Sequence, residues 1–227
     1  MENIILEDRR DAGRRLAKAI PKRSYINQQV LVLGIPRGGV VVADEVAEAI
    51  SAPLDVIIVR KLRAPYQPEL GIGAVVNGDN ISIINEELVR ALGVSPDYLD
   101  GEIAYQREEI ERRLRIYRGD RPAPEVTGKT VIVIDDGIAT GYTFLAALEG
   151  LRRRNPARLI AAAPVAALSS VEMLSAFADE MIFLSTPVSF FSVGTWYRDF
   201  GQVEDEEAVA ILHRNWVKFK YQKPVNE

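Results

Sequence analysis

The sequence predicts an α/β fold in which a parallel sheet is flanked by helices. Three observations carry that expectation. Short runs rich in β-branched residues alternate with helical stretches along most of the chain, the pattern of strand and crossover helix. Two of these runs, Val30 to Gly34 and Val131 to Ile134, pass directly into glycine-bearing turns that open helices. The 227 residues, 48% hydrophobic and 26% charged, suffice for one ample core, with no internal repeat and no low-complexity tract.

Composition removes several function classes. There is no cysteine, which excludes thiol catalysis, disulfides and thiolate metal sites. The one histidine, His213, lies in an apolar-periodic segment and is assigned a core or surface role, so a Ser-His-Asp hydrolase or a histidine-rich metal centre is hard to build. A net charge of −4 argues against a broad basic surface, so nucleic acid is not an expected partner. The first residues, M-E-N-I-I-L-E-D-R-R, carry no cleavage pattern, and no run approaches the roughly 18 apolar residues that span a membrane. A cytoplasmic protein without membrane contact is expected.

Leu6 to Ile20 reads as an amphipathic helix, with Arg9, Arg10, Arg14, Arg15 and Lys18 taken as a solvated face. Val30 to Gly34 is a strand, and Ile35-Pro36-Arg37-Gly38-Gly39 turns it into a helix over Val40 to Ile50. Adjacent glycines let backbone N–H groups approach an anion closely, and Arg37 adds a planar fork of donors. Leu54 to Val59 is the next apolar run. Arg60-Lys61-Leu62-Arg63 after it reads as an exposed basic loop on the same sheet edge. Asn77-Gly78 between apolar runs marks a hairpin over Leu70 to Ile84. Pro96 to Gly119 is one long helix with an apolar stripe at Ile103, Ile110, Leu114 and Tyr117, and its charged face reads as solvated surface or a subunit contact, which leaves a homodimer open. A proline-containing linker leads to the strand Val131 to Ile134.

After that strand comes D-D-G-I-A-T-G-Y-T, and Phe144 to Arg153 continues as a helix. The carboxylates of Asp135 and Asp136 therefore sit at a carboxyl-terminal strand edge, beside a loop whose N–H groups and Thr140 and Thr143 hydroxyls form an anion site. Ionised carboxylates accept but do not donate, so they suit vicinal hydroxyls or a cation rather than the phosphate itself. Ribose 5-phosphate has both ends of that pattern. A Walker loop is excluded by spacing and by the missing lysine, and the G-x-G-x-x-G fingerprint is absent. Arg158 to Pro164 and Met181 to Leu184 add strands around a helix over Leu168 to Phe177. The tail, P-V-S-F-F-S-V-G-T-W-Y-R-D-F, offers four aromatics before Arg198, either as a slot for a flat base or as core packing.

D-D-G-I-A-T-G-Y-T resembles the phosphoribosyl pyrophosphate (PRPP) motif of type I phosphoribosyltransferases, and G-I-P-R-G-G and V-R-K resemble their pyrophosphate-contacting segments. The resemblance implies a parallel-sheet core over about residues 30–184, a flexible hairpin lid for which the Leu70 to Ile84 hairpin is the candidate, and a small hood from about 1–29 and 185–227, all within one domain. It implies that Asp135 and Asp136 hold the ribose hydroxyls, and that Gly137, Ile138, Ala139, Thr140, Gly141, Tyr142 and Thr143 cradle the 5-phosphate. Pro36, Arg37, Gly38, Gly39, Arg60, Lys61 and Arg198 would bind pyrophosphate. Asp135, Asp136, Lys61 and Arg37 would be the residues on which turnover depends. F-S-V-G and Y-R-D-F resemble pieces of the purine-salvage branch, which implies Phe191, with Trp196 and Tyr197, at the base. Phe190 replaces the lysine of that branch, and Ala139 stands where its hypoxanthine-guanine members carry an aspartate, so no general base is visible. The implied activity is phosphoribosyl transfer from PRPP, with Mg²⁺ carried by the donor, to a nitrogenous base in nucleotide salvage. A non-catalytic PRPP-binding regulator and a metal-dependent hydrolase of a phosphoribosyl substrate are the alternatives.

Overall fold

The computed structural model describes residues 4–21, 29–78 and 81–219. In chain order the elements are α1 (Arg9–Ala19), β1 (Val30–Gly34), α2 (Gly38–Ile50), β2 (Leu54–Val56), β3 (Val59–Ala64), β4 (Gln67–Val76), β5 (Ser82–Ile84), α3 (Glu86–Ala91), α4 (Pro96–Arg118), β6 (Thr130–Ile134), α5 (Tyr142–Arg152), β7 (Arg158–Val165), α6 (Leu168–Leu174), β8 (Glu180–Ser185) and α7 (Asp205–Lys218). Five strands form a parallel sheet in the order β2-β1-β6-β7-β8, and β3-β4-β5 form a separate antiparallel sheet.

Strand period places alternate side chains on opposite faces. Val32, Ile132, Ile134, Ile160 and Ala162 meet α1, α2 and α7 on one face. Leu31, Leu33, Val131, Val133, Leu159 and Ala161 meet α5 and α6 on the other. Both faces are covered, which is why these strands read as unbroken apolar runs. The fold class expected from the sequence is the one observed.

Three expectations change. The run Leu54 to Val59 does not stay in one strand: Ile57 N–H still bonds the Gly34 carbonyl at 3.1 Å, but Ile58 N–H is taken by Asn77 Oδ1 at 2.6 Å, and the chain crosses into the antiparallel sheet. Arg60 to Arg63 then form part of β3 rather than a loop. Their pattern is that of a half-buried strand, with Leu62 and Ala64 inward. Second, the hairpin of β4 and β5 is packed: Ile72, Val75 and Val76 are buried, and Val76 lies against Gly150 of α5. Residues 79 and 80 of its turn lie outside the described residues. The projecting turn is instead Ala64 to Gln67 between β3 and β4, where Tyr66 is fully exposed. Third, α7, within the stretch assigned to the hood, packs into the body of the fold. Ala208, Ile211, Leu212 and Trp216 join the main core.

The terminal segments do meet. Leu6 and Tyr197 form a parallel bridge, with Leu6 N–H bonded to the Trp196 carbonyl at 2.9 Å and Arg198 N–H to the Leu6 carbonyl at 2.8 Å.

Candidate functional site

Register brings the two glycine-bearing turns together. β1 and β6 are adjacent and aligned so that Gly34 faces Ile134, and both turns therefore leave the same end of the sheet side by side. Ile35 N–H bonds the Ile134 carbonyl at 2.9 Å, which joins the start of one turn to the end of the neighbouring strand. The Pro36–Arg37 peptide in the first turn is cis.

Glycine is required where the turns touch. A Cβ on Gly39 would stand 2.9 Å from the Asp135 Cα, and one on Gly38 would overlap Asp136 Oδ2 and reach 2.6 Å from Arg9 Nε. The Gly38-Gly39 backbone thus lies directly on the acid pair. Gly141 adopts φ 75° and precedes α5 without a side-chain cap, so the first N–H groups of that helix are left open beside Tyr142 and Thr143, both exposed. Ile138 is buried and bridges Ala166, while Ser170 donates to the Ala139 carbonyl at 2.5 Å, so the loop is anchored from beneath and presents Ala139 and Thr140 outward.

The carboxylates are half-buried. Asp135 Oδ1 accepts the Asp136 N–H at 2.8 Å. Burial, and then the charge of Asp136, hold the Asp135 carboxyl well above the usual carboxylate range. Burial raises Asp136 as well, opposed by Arg9. Arg9 Nε donates to Asp136 Oδ2 at 2.7 Å, with the two side chains only 12% and 15% exposed. Arg9 Nη1 donates to the Gly201 carbonyl at 2.7 Å, and the guanidinium stands 3.8 Å from the Phe200 ring centroid.

The other expected residues are more scattered. Arg37 faces Glu204 at 3.6 Å. Arg60 Nε donates to Gln106 on α4 at 2.9 Å, and Lys61 Nζ donates to the Glu69 carbonyl across the β3–β4 hairpin at 2.7 Å. Arg198 is exposed and paired with Glu7 at 3.1 Å. Phe191 is 93% exposed. Trp196 stacks on Phe190 with ring centroids 6.1 Å apart, and its buried Nε1 meets no acceptor among the described residues. Tyr197 is buried with its hydroxyl donated to the Asp136 carbonyl at 2.5 Å and its ring against Phe200, so it is a strut beneath the acid pair rather than an open ring face. His213 lines a groove between α4 and α7, on neither turn.

Arg9 is the residue that sequence reasoning missed. Five cations on one helix gave no means of choosing among them, and its partners lie 127 and 192 positions away.

A model of the phosphoribosyl transferase domain matches residues 4–197. The chain belongs to the phosphoribosyl transferase domain family. The match runs from the first described residue to Tyr197, and so takes in both turns and the paired terminal segments. The crystal structure of TT1426 from Thermus thermophilus superposes with a TM-score of 0.81 at 42% identity, covering 93% of this chain and 99% of that one. A Mycobacterium tuberculosis (strain H37Rv) protein provisionally named a phosphoribosyl transferase is 41% identical over 210 residues, 92% of this chain and 47% of its own length. The chain therefore spans about half the length of such curated relatives. A Brevibacillus brevis protein named bifunctional protein PyrR is 28% identical over 140 residues, 60% of this chain and 71% of the other.

Proposed function

We propose that this phosphoribosyl transferase domain moves the 5-phosphoribosyl group of PRPP to a nitrogenous base and releases pyrophosphate, in nucleotide salvage. The supporting observation is the register-locked contact of the Gly38-Gly39 turn with the acid pair at the head of a second, open anion loop. One loop takes the 5-phosphate, the acids take the ribose hydroxyls, and the neighbouring turn takes the diphosphate.

In the reaction a ring nitrogen of the base attacks C1 of the ribose while the C1–O bond to diphosphate breaks. The bonding pair leaves with the diphosphate, and the N–H proton of the base passes to the departing diphosphate or to solvent. Asp135 and Asp136 fix the ribose, and N–H groups of residues 37–39 together with the Arg37 side chain stabilise the charge growing on the leaving group. Lys61 sits at the base of the projecting β3–β4 hairpin, which we read as the lid, and its closure would add a further cation and exclude water. Phe191 and Trp196 supply the base slot, with the exposed Phe191 ring as its stacking face.

The described residues contain no group of three or more acidic, histidine or cysteine side chains able to hold a metal. Two carboxylates, one already paired with Arg9, fit an ion that arrives on donor phosphates and keeps its waters, as Mg²⁺ does. Mg²⁺ would neutralise diphosphate charge, with Asp135 and Asp136 as the nearest protein oxygens.

Pyrophosphate release from PRPP, measured across a panel of purines and pyrimidines, tests this reading. We expect release with one class of base, reduced by about 10²-fold or more in Asp135→Asn/Asp136→Asn. Tight PRPP binding with no base-dependent release would favour a regulator, and release without any base would favour a hydrolase.

A further inference from the structure

Arg9 belongs to neither of the turns that define the site, yet its side chain lies between them. Its Nε is bonded to Asp136, and the same nitrogen is 2.6 Å from where a Cβ of Gly38 would be, so the guanidinium lies over the turn assigned to diphosphate. Its place is fixed from several sides. Phe200 supports its face, the Gly201 carbonyl holds Nη1, and the start of α1 is itself capped by Asp8. An arginine already ordered in this way loses little side-chain freedom when it takes an anion. Nη2 has no acceptor among the described residues, which leaves N–H donors for phosphate oxygens. The electrostatics call for such a group, because a diphosphate seated against two carboxylates is repelled unless a cation stands between them.

We infer that Arg9 binds the diphosphate of the phosphoribosyl donor, as a cation borne by the protein and set between Asp136 and the Gly38 turn. This rests on the donor reading given above. It makes α1 part of the site and gives Phe200 and Gly201 the task of holding its guanidinium. The role that the family resemblance gives to Arg198 passes to Arg9, since Arg198 is turned outward to Glu7.

Titration calorimetry of PRPP, inorganic pyrophosphate and ribose 5-phosphate, each with Mg²⁺, tests the inference on wild type, Arg9→Gln, Arg9→Lys and Arg10→Gln. Arg9→Gln is expected to weaken PRPP and pyrophosphate by about 30-fold or more, the scale for removing one partner of a buried, hydrogen-bonded charge pair, and to weaken ribose 5-phosphate much less. Arg9→Lys keeps the charge without the planar fork and falls between. Arg10→Gln cuts ties of the same helix outside the site, to Asp44 and Glu207, and binds all three ligands as wild type does. Wild-type affinity for pyrophosphate and PRPP in Arg9→Gln overturns the inference. So does an equal loss of all three ligands shared by Arg10→Gln, which would make Arg9 a tether of α1. Should Arg9→Gln not fold, Arg9→Lys against Arg10→Gln makes the same comparison. If wild type binds neither PRPP nor ribose 5-phosphate, the donor reading itself fails and the inference falls with it; if wild type binds both, a negative result in Arg9→Gln counts against Arg9 alone.

Discussion

Asp135 is held in a setting that disfavours its own charge. Burial is the larger cause and the neighbouring Asp136 the second, and both raise its carboxyl above the ordinary value of 3.8. The sign of the consequence follows from proton counting. Between 3.8 and the raised native value, the folded protein holds more protons at this position than the unfolded chain does, so stability falls as pH rises through that window. Asparagine keeps the acceptor for the Asp136 N–H but carries no charge. Asp135→Asn should therefore be more stable than wild type at pH 7 in the absence of ligand, and the gain should shrink toward pH 4. Thermal unfolding at several pH values checks this, and an asparagine variant less stable at pH 7 would count against a desolvated acid. A gain in stability beside a loss of turnover would identify the charge as kept for ligand binding rather than for folding.

At the scale of elements, two glycines with opposite surroundings separate function from propensity. Gly38 opens α2 and lies on the acid pair, where an added methyl overlaps Asp136 Oδ2 and crowds Arg9. Gly101 lies inside α4 with nothing within 4 Å of a built Cβ. Gly101→Ala should raise stability by about 0.5–1 kcal/mol, the usual gain from replacing glycine in a helix interior, with unchanged activity. Gly38→Ala should cost about 1–3 kcal/mol through crowding and also abolish donor binding. Urea midpoints and PRPP titrations read the two effects apart. A Gly38→Ala protein that binds PRPP normally would show that the first turn is not a binding element.

At the scale of the whole molecule, what the sequence revealed and what it hid have physical causes. The core strands were legible because both faces of the parallel sheet are covered, which demands continuous apolar runs, and the acid pair was legible because charge stops such a run abruptly. The passage from β2 to β3 was hidden because Ile57 and Ile58 are buried whichever sheet the chain follows. Arg9 and α7 were hidden because their partners are remote in sequence, and helical periodicity says that a face is buried but not against what. The role of α7 is then an edge role. β2 ends the parallel sheet, and an open edge exposes unpaired backbone groups. Asn215 Oδ1 accepts the Leu54 N–H at 2.9 Å, and Trp216 Nε1 donates to the Leu54 carbonyl at 2.9 Å, so the helix satisfies that edge with side chains. Trp216 is 4% exposed and packs in the same core as β1 and β6. Trp216→Ala should therefore lower stability by about 3–5 kcal/mol, from the lost ring and the orphaned Leu54 carbonyl, while the PRPP affinity of the protein that remains folded is unchanged. Denaturant unfolding and PRPP titration of the same sample decide the matter. A helix that served as a hood over the ligand would give the reverse, a small change in stability with a large loss of affinity.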